Sequence, residues 1–278
     1  MSKDPTPKTE TPLDRAHAAM LRDMDDDAAR LGFYGRLADS ELFLLLEQEP
    51  DGRGSITPEV LDLEGDRFAL VFDSEERLSA FAETIAPYAA LPGRAIAAML
   101  AGRNAGQAPD RQIGLGLNLG VAPSSILIPA EAMDWMHAAL TATPEAGHAR
   151  PTGFFAPEPA PALTRALGER LAALGGSDAR AWLVEADFDD GSRALTLVLS
   201  GAPEAEQERL ARAVREAALF SGSDLAALTT LFVRAGSNAA RDIARVGMEI
   251  DLPARKPKSV PAPPAPPGSD PNAPPKLR

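Results

Sequence analysis

The chain has 278 residues and no cysteine. Disulfides, iron–sulfur clusters, thiolate zinc sites and thiol nucleophiles are excluded together. Lysine is missing from most of the chain: Lys3 and Lys8 lie at one end, Lys256, Lys258 and Lys276 at the other, and none stands between. Schiff-base chemistry, a Walker lysine and a lysine general base are thereby removed from the body. Aromatic residues amount to 5%, so Ala, Leu and Val must supply most of the core. No apolar run approaches the roughly 18 residues a bilayer-crossing helix requires. The opening Met1–Lys8 segment has no apolar stretch of the signal-peptide kind. A cytoplasmic protein without a membrane partner is the expectation.

Net charge is −12, unevenly spread. Residues 253–278 hold Arg255, Lys256, Lys258, Lys276 and Arg278 against Asp270, a net +4 that leaves −16 on the rest. An acidic body repels phosphate backbones, which argues against nucleic acid as a partner of the folded part.

Hydrophobic periodicity divides the chain into five stretches. Residues 1–12 are polar and proline-bearing, an expected disordered N-terminus. Residues 13–140 read as one α+β domain. Leu13, His17, Met20, Leu21 and Met24 share a helical stripe that Asp23, Asp25, Asp26 and Asp27 end. Residues 42–46 and the alternation at Phe68, Leu70 and Phe72 read as strands. Asp73–Glu76 has capping-box spacing for the helix carrying Leu78, Phe81, Ala82 and Ile85. Pro92–Gly93 opens a helix that Gly102 is expected to close. Residues 113–119 and 126–128 read as strands, and a helix runs from Pro129 to about Leu140. Residues 141–162 hold five prolines and no periodicity, the expected linker. Residues 163–252 restart with the stripe Leu163, Leu167, Leu171 and Leu174. A half-buried strand through Trp182, Val184, Ala186 and Phe188 follows. The Asp190–Gly191 turn leads to a partner strand, 194–199. A helix marked by Leu210, Val214 and Ala217, a strand at 228–233 and a helix at 237–246 complete the domain. Residues 253–278 carry ten of the 26 prolines and are expected to be a disordered, extended, basic tail. The fold class is therefore α+β: two small domains, each a mixed or antiparallel sheet packed against helices, with disordered termini.

No constellation carries recognisable chemistry. Asp23, Asp25 and Asp27 begin like a calcium loop, but Ala28 and Tyr34 occupy the positions that need glycine and glutamate. Asp187, Asp189 and Asp190 fail in the same way and belong to a hairpin turn. His17 and His137 sit on apolar helical faces and His148 in the linker, none paired at ligand spacing. G-x-S-x-G is absent. The Gly114–Gly120 segment resembles a phosphate loop but alternates at period two, so it reads as a strand with a bare glycine face. Another backbone, a helix or a ligand must lie against that face. Arg94 and Asn118 are the candidate ligand or interaction residues. No catalytic residue, metal or cofactor is expected.

Several segments resemble the bacterial SseB family, named for enhanced serine sensitivity: Ser40-Glu41-Leu42-Phe43, Phe72 through Leu78, Leu91-Pro92-Gly93-Arg94, and Gly116-Leu117-Asn118-Leu119-Gly120 followed by Pro129 and Glu131. The C-terminal likeness, about Leu163 to Leu252, rests on element order and is looser. The resemblance implies an N-terminal and a C-terminal domain and brings no catalytic residues. With the absent chemistry it leads to a non-enzymatic adaptor or regulatory binding protein whose partner is another protein. The alternatives are an enzyme or small-metabolite binder using the Gly114–Gly120 strand, and a secretion-associated accessory protein.

Overall fold

The computed structural model describes residues 10–23, 25–49, 56–143, 149–174, 178–222 and 228–252. The expectations for residues 1–9, Met24, His148 and the 253–278 tail lie outside the described residues.

Helix α1 (Pro12–Arg22) starts with a reciprocal cap. The Thr11 hydroxyl accepts from the Asp14 N–H at 3.2 Å, and the Asp14 carboxylate accepts from the Thr11 N–H at 2.9 Å. Asp26 caps α2 (Asp27–Asp39) by accepting from the Ala28 N–H at 2.9 Å, so the aspartate run punctuates two helices. The first sheet has the order β4-β1-β3-β5-β6. Its strands are β1 (Glu41–Leu45), β3 (Asp66–Phe72), β4 (Tyr88–Pro92), β5 (Ile113–Leu117) and β6 (Ile126–Ile128). A further strand, β2 (Val60–Leu63), pairs with the start of β3, and β1 with its end. Only β3 and β5 run parallel, so the sheet is mixed.

Period-two alternation assigns the faces. Leu42 and Leu44 of β1, Ala69 and Val71 of β3, and Leu115 and Leu117 of β5 meet α2, α4 (Gly93–Asn104) and α5 (Ala130–Thr141) in the larger core. Leu45, Leu70 and Phe72 point the other way, toward Leu78 of α3 (Glu75–Ala82). Each such buried side chain contributes roughly 1.5–3 kcal/mol of transfer free energy. Three details differ from expectation, the first being that α3 ends at Ala82 and leaves Ile85, expected on its apolar face, fully exposed. Gly102 lies inside α4, where nothing crowds it, and the helix ends on Asn104. Edge strand β4 was not foreseen, because its side chains alternate only between exposed and half-buried.

The second sheet has the order β10-β9-β8-β11. It is built from β8 (Arg180–Phe188), β9 (Arg193–Ser200), β10 (Leu228–Val233) and β11 (Met248–Ile250), with β7 (Pro151–Phe155) paired to the end of β8. It too is mixed, with β9 and β10 parallel. Residues 151–155, inside the expected linker 141–162, are thus sheet. On one face α6 (Pro161–Ala173) and α7 (Glu204–Phe220) bring Leu163, Leu167, Leu171, Leu210 and Val214 onto Ala181, Leu183, Leu197 and Leu199. On the other, Ile243 of α8 (Asn238–Val246) covers Trp182, Val184 and Val198. Helices on both faces make β8 buried on both, whereas alternation predicted a half-buried strand.

The two halves are also joined by packing. Phe220, at the end of α7, is buried in the core of the first half. A Cβ on Gly35 would lie 2.8 Å from the Phe220 Cβ, so glycine is what lets α2 and α7 approach. Arg215 donates to the Ala139 carbonyl across the same junction at 2.8 Å.

Candidate interaction surface

The family-like segments converge on a buried polar cluster. In the turn before α3, Ser74 rather than Asp73 caps the helix, accepting from the Arg77 N–H. Asp73 is thereby free to pair with Arg77 one turn on, at 2.7 Å. The Arg77 guanidinium also reaches both oxygens of Asp14, at 3.0 and 2.5 Å. The Thr11 hydroxyl donates to Asp73 at 2.6 Å, and the Ser124 hydroxyl to Asp14 at 2.6 Å. Asn118 donates to Ser124 at 2.8 Å and accepts from the Asp73 N–H at 3.1 Å. No side-chain N or O atom of this cluster is buried without a partner. It fastens α1, the β3–α3 turn and the β5–β6 loop to one another.

Burial alone would raise the Asp14 pKa. Hydrogen bonds from Arg77, Ser124 and the Thr11 N–H outweigh it and hold the carboxyl far below the usual carboxylate range. Burial would likewise lower the Arg77 pKa, and its bonds to the two aspartates carry it upward instead. His17 packs on Phe33 at 5.8 Å between ring centroids. Burial lowers its pKa, against the opposing pull of the Pro123 carbonyl and Asp14. Paired with one another and enclosed, Asp14, Asp73, Arg77 and Ser124 tie α1, the β3–α3 turn and the β5–β6 loop together.

The two candidate residues fall in different places. Asn118 is fully buried at the end of β5 with φ 50°, a left-handed conformation Asn tolerates. Arg94, in the first turn of α4, lies at the junction of the halves. It reaches Asp39 at 2.6 Å and the buried Glu216 of α7 at 3.2 Å. Arg170 of α6 reaches the same carboxylates, at 2.5 and 3.3 Å. Arg94 and Asn118 share no partner, and neither lines a cavity described below. The bare face of β5 is filled from within. A Cβ on Gly114 would lie 2.3 Å from the Ile128 carbonyl oxygen, where the backbone leading into α5 crosses it. A phosphate has no room there.

Two shallow openings stand among the described residues. Between α2 and α5 lies a groove of about 280 Å³ lined by Arg30, Leu31, Tyr34, Ala132 and Trp135. Trp135 is 39% exposed. Its ring meets Tyr34 edge-on at 5.6 Å and Phe220 at 6.5 Å, so the groove floor rests on the junction between the halves. Arg30 is held by Asp27 at 2.6 Å. A second cavity, about 380 Å³, lies between α6 and β11 and is lined by Thr164, Gly168, Ala172, Glu249, Ile250 and Asp251. The groove could not be found from sequence, because Tyr34 and Trp135 are 101 positions apart. Thr11-Pro12-Leu13-Asp14 did carry a legible helix-start signal for part of the buried cluster.

The fold defines a two-sheet α+β protein. Residues 13–135 match the family model of the SseB protein N-terminal domain, which supports SseB-family membership through that domain. Residues beyond 135 lie outside the match. No curated protein and no solved structure matches the chain. Among the described residues, no helix is long and apolar enough to cross a membrane.

Proposed function

We propose that the protein is a non-enzymatic adaptor or regulatory binding protein of the cytoplasm, acting on another protein. The observation that carries this reading is the division of labour between interior and surface. The polar side chains of the cluster formed by Asp14, Asp73, Arg77, Asn118 and Ser124 are enclosed and mutually paired, whereas the open surface presents an aromatic groove beside charged residues. A large aromatic pair offering contact area at low entropic cost is the usual anchor of a protein contact. An enzyme would place its titratable groups the other way round, in the open cleft.

The test is reconstitution. Full-length protein is purified at native expression level, a stoichiometric companion is identified, and the pair is reassembled from pure components for calorimetry. The expected result is saturable binding that Trp135→Ala weakens by at least tenfold without shifting the melting temperature of the free protein by more than a few degrees. Turnover of a metabolite, or a small molecule bound at one per chain, would overturn the proposal.

A further inference from the structure

The Tyr34–Trp135 groove and the chain's last segment are complementary in chemistry. On the groove side, helix geometry places Asp27 one turn before Leu31 and Glu131 one turn before Trp135, on the same faces as the lining residues. Asp23, Asp25 and Asp26 precede α2, and all five carboxylates are exposed. Arg30, already paired with Asp27, is the only cation among the lining residues. The groove is thus an aromatic floor with an acidic rim.

Residues 253–278 have the opposite character. Arg255, Lys256 and Lys258 lead into Pro261-Ala262-Pro263-Pro264-Ala265-Pro266-Pro267. At the three-residue period of a polyproline helix, Lys258, Pro261, Pro264 and Pro267 fall in one register. A cation followed by a ridge of prolines is the pattern that aromatic grooves recognise, because the segment loses little conformational entropy on docking.

Reach permits an intramolecular contact. The last described residue, Leu252, packs on the core of the second half. The six residues to Lys258 span about 19 Å and the fifteen to Pro267 about 47 Å at ~3.1 Å each, so the docking segment lies within that range of Leu252. A folded body of some 250 residues has a diameter of about 46 Å.

We infer that the Tyr34–Trp135 groove is occupied by the chain's own basic, proline-rich C-terminal segment, centred on Lys258–Pro267, which competes with external partners for that surface. This rests on reading the groove as an interaction surface. Tethering supplies an effective concentration on the order of 1 mM, so a contact with a dissociation constant of about 0.1 mM as a free peptide is mostly closed in the intact chain.

Tryptophan fluorescence tests it. The two tryptophans are Trp135, exposed in the groove, and Trp182, 4% exposed. In a Trp182→Phe background the signal is Trp135 alone. Deleting residues 253–278 is expected to raise acrylamide quenching of Trp135 by about twofold at low salt. Synthetic peptide 253–278 should restore protection, with an affinity that falls severalfold from about 50 to 300 mM salt. Reversing Arg255, Lys256 and Lys258 to Glu in the full chain should match the deletion, and these changes leave the folded body untouched. Ala132→Arg, which fills the groove, should abolish peptide binding. Equal quenching of the full and shortened chains at low salt would overturn the inference. So would peptide binding that survives Ala132→Arg, which would move the contact elsewhere, for instance to the α6–β11 cavity. Protection that grows with protein concentration would also overturn it, since the segment would then bridge two copies. A partner that binds the groove while the peptide does not would sink this inference and leave the adaptor reading standing.

Discussion

Replacing Arg77 with methionine would keep the stem's packing volume and remove the cation from the buried cluster. Two carboxylates, Asp14 and Asp73, would then be left with side chains 3% and 4% exposed and no countercharge from Arg77. Removing one partner of a buried ion pair costs about 3–5 kcal/mol, a large part of the roughly 5–15 kcal/mol that holds a domain together. For a protein of this size that corresponds to a fall of about 6–20 °C in melting temperature. The pH dependence gives an independent check on sign. In the native protein the Asp14 pKa is depressed, so its contribution is present above the unfolded value of about 4 and is lost as pH falls below it. In Arg77→Met the buried Asp14 lacks its cation, burial dominates, and its folded pKa rises above the unfolded one. The variant then loses stability as pH climbs past about 4, and the gap to wild type should be wider at pH 7 than at pH 5. Urea unfolding of both proteins at the two pH values measures this. Adding Asp14→Asn to the variant should recover part of the loss, because it removes one stranded charge. A gap under about 1 kcal/mol at pH 7, or a gap that widens toward pH 5, would refute the description of the cluster as a charge-paired tie.

Phe220→Ala should cost about 3–5 kcal/mol by opening a cavity in the core of the first half. Calorimetry should then resolve two transitions in place of one, since Phe220 belongs to a helix of the other half. Gly114→Ala should prevent recovery of folded protein, because its Cβ has a carbonyl oxygen 2.3 Å away. Gly102→Ala, in open space on α4, should instead stabilise by about 0.5–1 kcal/mol in the same unfolding assay. The depressed His17 pKa predicts that stability declines as pH drops through about 6.5, the unfolded value, because the unfolded chain binds the proton more readily. His17→Gln should flatten that part of the stability–pH curve.

Elements whose signal is local were readable from the order of residues. The stripe at Leu163, Leu167 and Leu171, the Asp190–Gly191 hairpin and the alternation of β3 each depend on periodicity or turn chemistry within a dozen residues, and each was legible before folding was considered. Even the glycine face of β5 announced a close neighbour, though not that the neighbour was the backbone leading into α5. Elements whose partner is remote were not legible. Strand β4 is short, bracketed by prolines and only half-covered, so it exists by pairing with β1 rather than by its own pattern. Strand β7 hides among the prolines of an apparent linker and is held by β8. Arg94 lies in a family-like segment, yet its partners Asp39 and Glu216 are 55 and 122 positions away. Local order follows from the conformational preferences of neighbouring residues. Which charges are buried together, which aromatic rings share a groove and how the halves meet depend on chain closure over a hundred residues, where no short-range preference reaches.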